Sequence, residues 1–309
     1  MKPRFSVVIP AYNSAATLAR AIDSVRAQSW PPHEIIVVDD GSEDDTADVA
    51  RRYGDSVKLI RQANDGVSSA RNAGGRAATG DWLAFLDADD WYMPDRLRLH
   101  GEWIEADAAL DFLTGDYEYR DASGALLGTS LAQHEAGRMI LDKAAGAARV
   151  VMETPAEIRA YVADHFGDTH TLSVPRATFL ALGGYPLGFE VCEDVHLLIR
   201  LTARSSRIGV VCDRLGVYVI HGGSATRRDP VRAQRENLRT LLDLDRDSGV
   251  LPEPVRQGLR ERMQHARYNL GCALNRTANR AAAVRAVLPS LVESPGWGSV
   301  RAVLSMLKG

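Results

Sequence analysis

Two short β-branched runs, residues 5–9 (FSVVI) and 34–38 (EIIVV), constrain this chain more than any other feature. Both are continuously apolar rather than alternating, as strands buried on both faces of a parallel sheet are. Between them Leu18, Ile22 and Val25 recur at helical spacing, with Ser14 as the candidate N-cap. Trp30-Pro31-Pro32 ends that helix. The chain therefore opens β-α-β, the unit from which parallel sheets are built.

The alternation continues. Residues 44–53 read as helix, 57–60 as strand, 68–78 as helix ending near Gly80, and 82–86 (WLAFL) as strand. Three strands run into polar residues at their carboxyl ends: Tyr12-Asn13, Asp39-Asp40-Gly41-Ser42, and Asp87-Ala88-Asp89-Asp90. Open α/β sheets bind ligands beyond the carboxyl ends of their strands, so these three ends are expected at one rim. Residues 121–149 are rich in Gly and Ala with weak periodicity and are expected to form a variable, mobile segment over the site. Thr154-Pro155-Ala156-Glu157 has the pattern of a helix start, with a threonine cap, proline in the first position and glutamate three residues on. Asp229-Pro230 reads as another. The pattern beyond is helical, broken near Ser248-Gly249 and Ser294-Pro295-Gly296. Residues 266–291 read as a helical hairpin with small residues at its seam.

The 309 residues, 45% hydrophobic and 25% charged, suffice for one large domain with a small appendage. No stretch of about 18 uncharged apolar residues occurs, and the apolar run near the N-terminus is shorter than a signal-peptide core of about 7–15 residues. Cys192, Cys212 and Cys272 are odd in number and widely spaced, which argues against a disulfide framework or a zinc cluster and for a reducing cytoplasm. A net charge of −3 gives no case for nucleic acid. The charge is uneven, however. Residues 226–309 hold fifteen Lys and Arg against eight Asp and Glu. This is either a set of solvated helix faces or a surface for a phosphate-bearing acceptor or an anionic membrane, the last of which would place the protein peripherally at the inner face of the membrane.

Asp87, Asp89 and Asp90 place three carboxylates within four residues. Their mutual repulsion is relieved by a cation, and hard oxygen donors suit Mg²⁺ or Mn²⁺ held jointly with substrate phosphates. A solvated turn is the alternative. Asp39 and Asp40 could accept hydrogen bonds from a base or ribose, or cap the helix that follows. Glu193-Asp194, ahead of an apolar helical stretch, are helix-capping carboxylates or a general base beside an acceptor hydroxyl.

Taken together, these segments resemble the family 2 glycosyltransferases. The match runs through Ser6-Val7-Val8-Ile9-Pro10-Ala11-Tyr12-Asn13, Val37-Val38-Asp39-Asp40-Gly41-Ser42, Ala70-Arg71-Asn72-Ala73-Gly74, Phe85-Leu86-Asp87-Ala88-Asp89-Asp90, Gly183-Gly184-Tyr185 and Glu193-Asp194. The resemblance implies the α/β GT-A fold, a Rossmann-like, mostly parallel sheet flanked by helices, over residues 1–225. Within it, 1–115 would bind the nucleotide sugar and 116–225 would face the acceptor. Residues 226–309 would form a helical C-terminal extension. It further implies donor contacts from Pro10, Ala11, Tyr12, Asn13, Asp39, Asp40, Arg71, Asp87 and Ala88, with Tyr12 stacked on the base. Asp89 is the first choice of metal ligand, followed by Asp90 and His221, and Asp194 is the catalytic base with Glu193 beside it. The implied reaction is metal-dependent transfer, with inversion, from a nucleotide-diphosphate sugar (a UDP-sugar) to a hydroxyl of a sugar, glycan or lipid-linked glycan. A nucleotidyltransferase would carry a basic Gly-rich loop after the first strand, where this chain reads Pro-Ala-Tyr-Asn. A non-catalytic sugar-nucleotide-binding protein would need no carboxylate at 194. A dehydrogenase would need G-x-G-x-x-G.

Overall fold

The computed structural model describes residues 2–220, 229–246, 248–277, 279–293 and 295–308. The first half follows the expected alternation: β1 (Phe5–Ala11), α1 (Leu18–Arg26), β2 (Glu34–Asp39), α2 (Thr46–Arg51), β3 (Lys58–Arg61), α3 (Val67–Ala77), β4 (Trp82–Phe85), β5 (Trp91–Tyr92) and α4 (Arg96–Ala106). Then come β6 (Phe112–Asp121), β7 (Leu126–Thr129), α5 (Ser130–Gln133), α6 (Glu135–Ala144), β8 (Arg149–Met152), α7 (Pro155–Ala163), β9 (Ser173–Pro175), α8 (Arg176–Ala181), α9 (Glu193–Thr202) and β10 (Ile208–Ile220). Five helices follow: α10 (Pro230–Arg246), α11 (Glu253–Arg276), α12 (Arg280–Val287), α13 (Ser290–Glu293) and α14 (Trp297–Lys308).

All ten strands join one sheet in the order β3-β2-β1-β4-β9-β6-β10-β5, with β7 on β6 and β8 on β10. The longest ladders, β1 with β2 and β6 with β10, are parallel, while the short β9 enters antiparallel between β4 and β6. Because side chains alternate along a strand, the continuous apolar runs divide between two layers. Val7, Ile9, Ile35 and Val37 pack with Leu18, Ile22 and Val25 of α1. Val8, Ile36 and Val38 turn to the opposite face, with Ala70 of α3. Helix α3 approaches β1 so closely that a Cβ on Gly74 would run into Val8 Cγ1.

Two local expectations are corrected. Thr17, not Ser14, precedes α1, and Ser14 contributes its backbone carbonyl to Thr17 and Leu18 instead of a side-chain cap. Residues 121–149 are not an irregular cover. They form β7, α5 and α6, and Leu131, Ala136 and Ile140 are fully or almost fully buried in the main core. Gly and Ala obscured that helical face, but three well-spaced apolar residues were enough to anchor it. The Thr154 capping box is present in full, and Arg232 N–H donates to Asp229 Oδ1 at the start of α10.

The C-terminal helices do not hang from the sheet domain. Met263, Leu270, Val287 and Met306 belong to the same apolar cluster as Val8 and Phe85. Gly258 of α11 lies against the Arg159 carbonyl and Val162 of α7, a distance at which a side chain would not fit. Gly74→Val should force apart α3 and β1, an overpacking worth about 1–3 kcal/mol. Chemical denaturation should show that loss as a lowered midpoint.

Candidate active site

The strand ends meet at one rim as expected, and hydrogen bonds hold them there. Asp40 N–H donates to the Ala11 carbonyl at 2.9 Å, and Leu86 N–H to Val8 at 3.0 Å. Asn13, at a positive φ of 48°, donates its N–H to Ser42 Oγ, and its side-chain oxygen accepts from Glu43 N–H. Tyr12 projects from this junction with half its surface exposed, whereas Pro10 and Ala11 are buried in β1.

Asp39 and Asp40 both serve the rim. Asp39 accepts from Ser42 N–H and from Arg61 Nε at 2.7 Å. Asp40 accepts from Gln62 Nε2 and from the N–H groups of Asp65 and Gly66. A carboxylate offers about four acceptor positions, so Asp40, expected at the nucleotide, spends most of its capacity shaping the loop that leads into α3.

The acidic turn after β4 is closed from several sides. Tyr92 Oη donates to the Phe85 carbonyl at 2.6 Å, Asp90 N–H to the Asp87 carbonyl, and Arg20 Nη2 to the Asp89 carbonyl. Asp90 itself is buried and accepts Val219 N–H at 2.8 Å, which ties the turn to the end of β10. Burial, with Asp89 and Asp87 adding repulsion, pushes its carboxyl well above the ordinary range. Ala88 is buried too. Asp87 remains partly open to solvent. Behind the turn, the fully buried Arg96 donates to Ser173 Oγ and the Leu172 carbonyl, fixing α4 to β9.

Opposite the turn stands the start of α9. Cys192 precedes it in the left-handed region at φ 65°, so Glu193 and Asp194 enter the first helical turn pointing into the cleft. Between the two walls lies Arg71 of α3, which is 3% exposed. Its Nη2 reaches Asp87 Oδ1 and its Nη1 reaches Glu193 Oε1, each at 2.7 Å. Burial opposes the Arg71 charge, but Asp87, Tyr185 and Glu193 outweigh it and hold its pKa well above the ordinary value. The guanidinium expected at donor oxygens is thus a bridge between two carboxylates. Asn72 adds a second bridge: its amide donates to the Tyr185 carbonyl, and its oxygen accepts Tyr185 N–H.

Asp194, unlike Asp87 and Glu193, has no arginine hydrogen-bonded to it among the described residues. Its side chain accepts Val195 N–H at 2.8 Å. Burial first, then repulsion from Glu193 and Asp168, raises its pKa from 3.8 to about 7. Three further residues line this cleft. Asp168 and Thr169 come from the loop before β9, and Tyr218 from the end of β10. The run Gly167-Asp168-Thr169-His170, with Gly167 at φ 67°, was the one available cue to the first two. Arg262, from α11, is half-buried near Cys192 and Asp194, and its partial desolvation lowers its pKa. Cys192 is half-buried, and desolvation pushes its thiol up to about 12 and leaves it a poor nucleophile. The cleft between these walls measures about 260 Å³.

Among the described residues no three His, Cys, Asp or Glu side chains converge as a ready-made metal cage. His221, expected as a metal ligand, lies outside the described residues. The carboxylate oxygens of the turn are nonetheless the hard donors that suit a divalent ion completing its shell with water and substrate phosphates.

A curled, mostly parallel sheet whose carboxyl rim bears an acidic turn facing a helix-borne carboxylate is the GT-A architecture of glycosyltransferases. Two solved structures share it. The Staphylococcus aureus TarS fragment 1–349, in complex with UDP-GlcNAc, superimposes at a TM-score of 0.67 over 99% of this chain and 90% of that one, with 17% identity. The mannosyltransferase PcManGT of Pyrobaculum calidifontis, in complex with GDP-Man and Mn²⁺, superimposes at 0.63 over 99% and 85%, with 18% identity. Residues 6–131 match the model of Glycosyl transferase family 2. An uncharacterized glycosyltransferase of Haemophilus influenzae is 27% identical over 79% of this chain and 76% of its own length. The succinoglycan biosynthesis protein ExoO of Rhizobium meliloti is 48% identical over 35% of this chain and 31% of its own. The chain thus spans less than a third of the length of relatives, ExoO among them, to which it is 42% or 48% identical.

Arg71→Met should leave two cleft carboxylates without their counter-charge. Breaking such a buried pair costs about 3–5 kcal/mol. A lowered denaturation midpoint, restored in part by the additional change Glu193→Gln, is the expected result.

Proposed function

We propose that this protein is an inverting glycosyltransferase that moves a sugar from a nucleoside-diphosphate sugar, a UDP-sugar in the first instance, to a hydroxyl of a glycan or lipid-linked glycan. The observation that carries this reading is Asp194, a half-buried carboxyl whose pKa is raised to about 7 and which faces the acidic turn across the cleft. A general base works best when its pKa lies near the working pH. The acceptor hydroxyl attacks the anomeric carbon while Asp194 takes its proton. The new carbon–oxygen bond forms as the bond to the diphosphate oxygen breaks, and that oxygen leaves with the electron pair. Attack from the face opposite the leaving group inverts the centre.

The remaining residues fall into roles around that step. Tyr12, exposed at the end of β1, offers a face for the base, with Asn13 fixing its loop. Glu193 holds Arg71 and through it Asp87, so it positions the cleft and leaves proton transfer to its neighbour. Asp89 and His221 would hold Mn²⁺ or Mg²⁺, while Asp90 anchors the turn from within. When bound, such an ion supplies positive charge against the leaving diphosphate. The ligands named for TarS and PcManGT support a nucleotide-sugar donor, and the name of ExoO supports polysaccharide assembly. Residues 1–225 would carry the chemistry, with 226–309 as a helical unit bound to it.

Asp194→Asn should reduce kcat by about 10²–10⁴-fold, the usual contribution of a general base, while leaving donor affinity intact. Because the ionised carboxylate is the active form, wild-type activity should rise as pH increases through about 7 and then level off. A mutant with normal turnover would remove Asp194 from the mechanism. Calorimetric titration with UDP, GDP and their sugars, with and without Mn²⁺, should show one nucleotide bound in a metal-dependent way by the wild type and not by Asp89→Ala. That result would name the base, and equal binding by the mutant would move the metal elsewhere.

A further inference from the structure

The last helix, α14, is apolar on two opposite faces. Ala302 and Met306 are buried against α11 and α12, and Ser299 is fully buried beside them. On the other side Trp297, Val300, Leu304 and Leu307 follow one another at helical spacing and are 78, 36, 46 and 53% exposed. These four lie within one stripe of the helix, since steps of three and four residues return to the same side. An amphipathic helix that has already buried one face has no need of a second apolar one for folding, and continuous exposed apolar surface marks an interaction site.

The chemistry beside the stripe identifies what would cover it. A cleft of about 600 Å³ adjoins Leu304 and is lined by Arg276, Arg301, Asn275 and Ser305. Both guanidinium groups belong to exposed residues. Between Thr277 and Gly309 the chain has a single acidic residue, Glu293, and Arg267 holds both of its carboxylate oxygens. Among the described residues lining the cleft none is acidic. A tryptophan-led apolar stripe flanked by cations matches the surface of an anionic bilayer, where apolar side chains enter the acyl boundary and guanidinium groups meet phosphate oxygens. A partner protein surface would be expected to supply carboxylates, whereas the Asn275 and Ser305 side chains beside the two arginines give a phosphate additional donors.

We infer that α14 and the Arg276–Arg301 cleft form a seat for an anionic phospholipid membrane, with Trp297, Leu304 and Leu307 entering the lipid and the two arginines receiving headgroup phosphates. This seat stands on α11 and α14 alone and is independent of the reaction assigned to the cleft at Asp194. It gives a structural location to the positive excess of the C-terminal region.

Sedimentation of the full chain with phosphatidylcholine vesicles, with and without about a third phosphatidylglycerol, tests it. Binding should require the anionic lipid and fall with salt. Arg276→Ala and Arg301→Ala should each weaken it by about fivefold, the value of one cation at a charged surface. Leu304→Asp with Leu307→Asp should abolish it, while circular dichroism and the thermal midpoint stay unchanged because both side chains are exposed. In a Trp297→Phe protein the vesicle-induced blue shift of tryptophan emission should largely disappear. Absence of binding to anionic vesicles would overturn the inference, as would undiminished binding by the double aspartate variant. A wild type that is dimeric at micromolar concentration, and that the same variant renders monomeric, would assign the face to a second copy of the chain and also overturn it.

Discussion

The site depends on one buried cation. Arg71 lies on α3, which packs against β1 and β2, and holds one carboxylate from each wall: Asp87 at the end of β4 and Glu193 at the start of α9. Without it, the carboxylates would repel one another across the cleft. With it, the strand-end rim and helix α9 have a fixed separation, and Asn72 repeats the connection through the backbone of Tyr185. The tight packing of Gly74 on Val8 sets the depth of α3 and hence the height of that arginine.

The charge balance also explains why Asp194 differs from its neighbours. Asp87 and Glu193 have the guanidinium, Asp39 has Arg61, and Asp40 has three donors from its loop. Asp194 has burial and two nearby carboxylates, with Arg71 opposing them only in part. One arginine shared among several acids thus produces a paired frame and one carboxyl near neutrality. Such separation of environments is how a fold assigns different roles to chemically identical groups.

The C-terminal helices join this arrangement from behind. Gly258 lets α11 close on α7, and the same helix brings Arg262 beside Cys192 and Asp194. Helix α14, packed on the outer side of α11, has spare apolar surface, consistent with a core already completed by α11 and α12. The cleft and the outer surface are therefore linked through packed helices.

The sequence alone determined the β-α-β opening, the polar ends of three strands, the capping box at Thr154 and the helical character of the C-terminal part. Each is a local matter of apolar period, turn chemistry or capping, readable within a few residues. It also marked Arg71, Asp87, Glu193 and Asp194 as members of one site. Tertiary structure decided what each does there. Arg71 and Glu193 are 122 positions apart, and their pairing follows from the docking of α3 and α9. Asp90 turned inward because Val219, from the distant β10, offers it an N–H. Asp168 and Arg262 came to the cleft from segments with no distinctive pattern, and the Gly- and Ala-rich 121–149 segment became helix because three apolar residues found a core to fill. Charge state, exposure and partnership depend on neighbours remote in the chain, and only the folded chain brings those neighbours together.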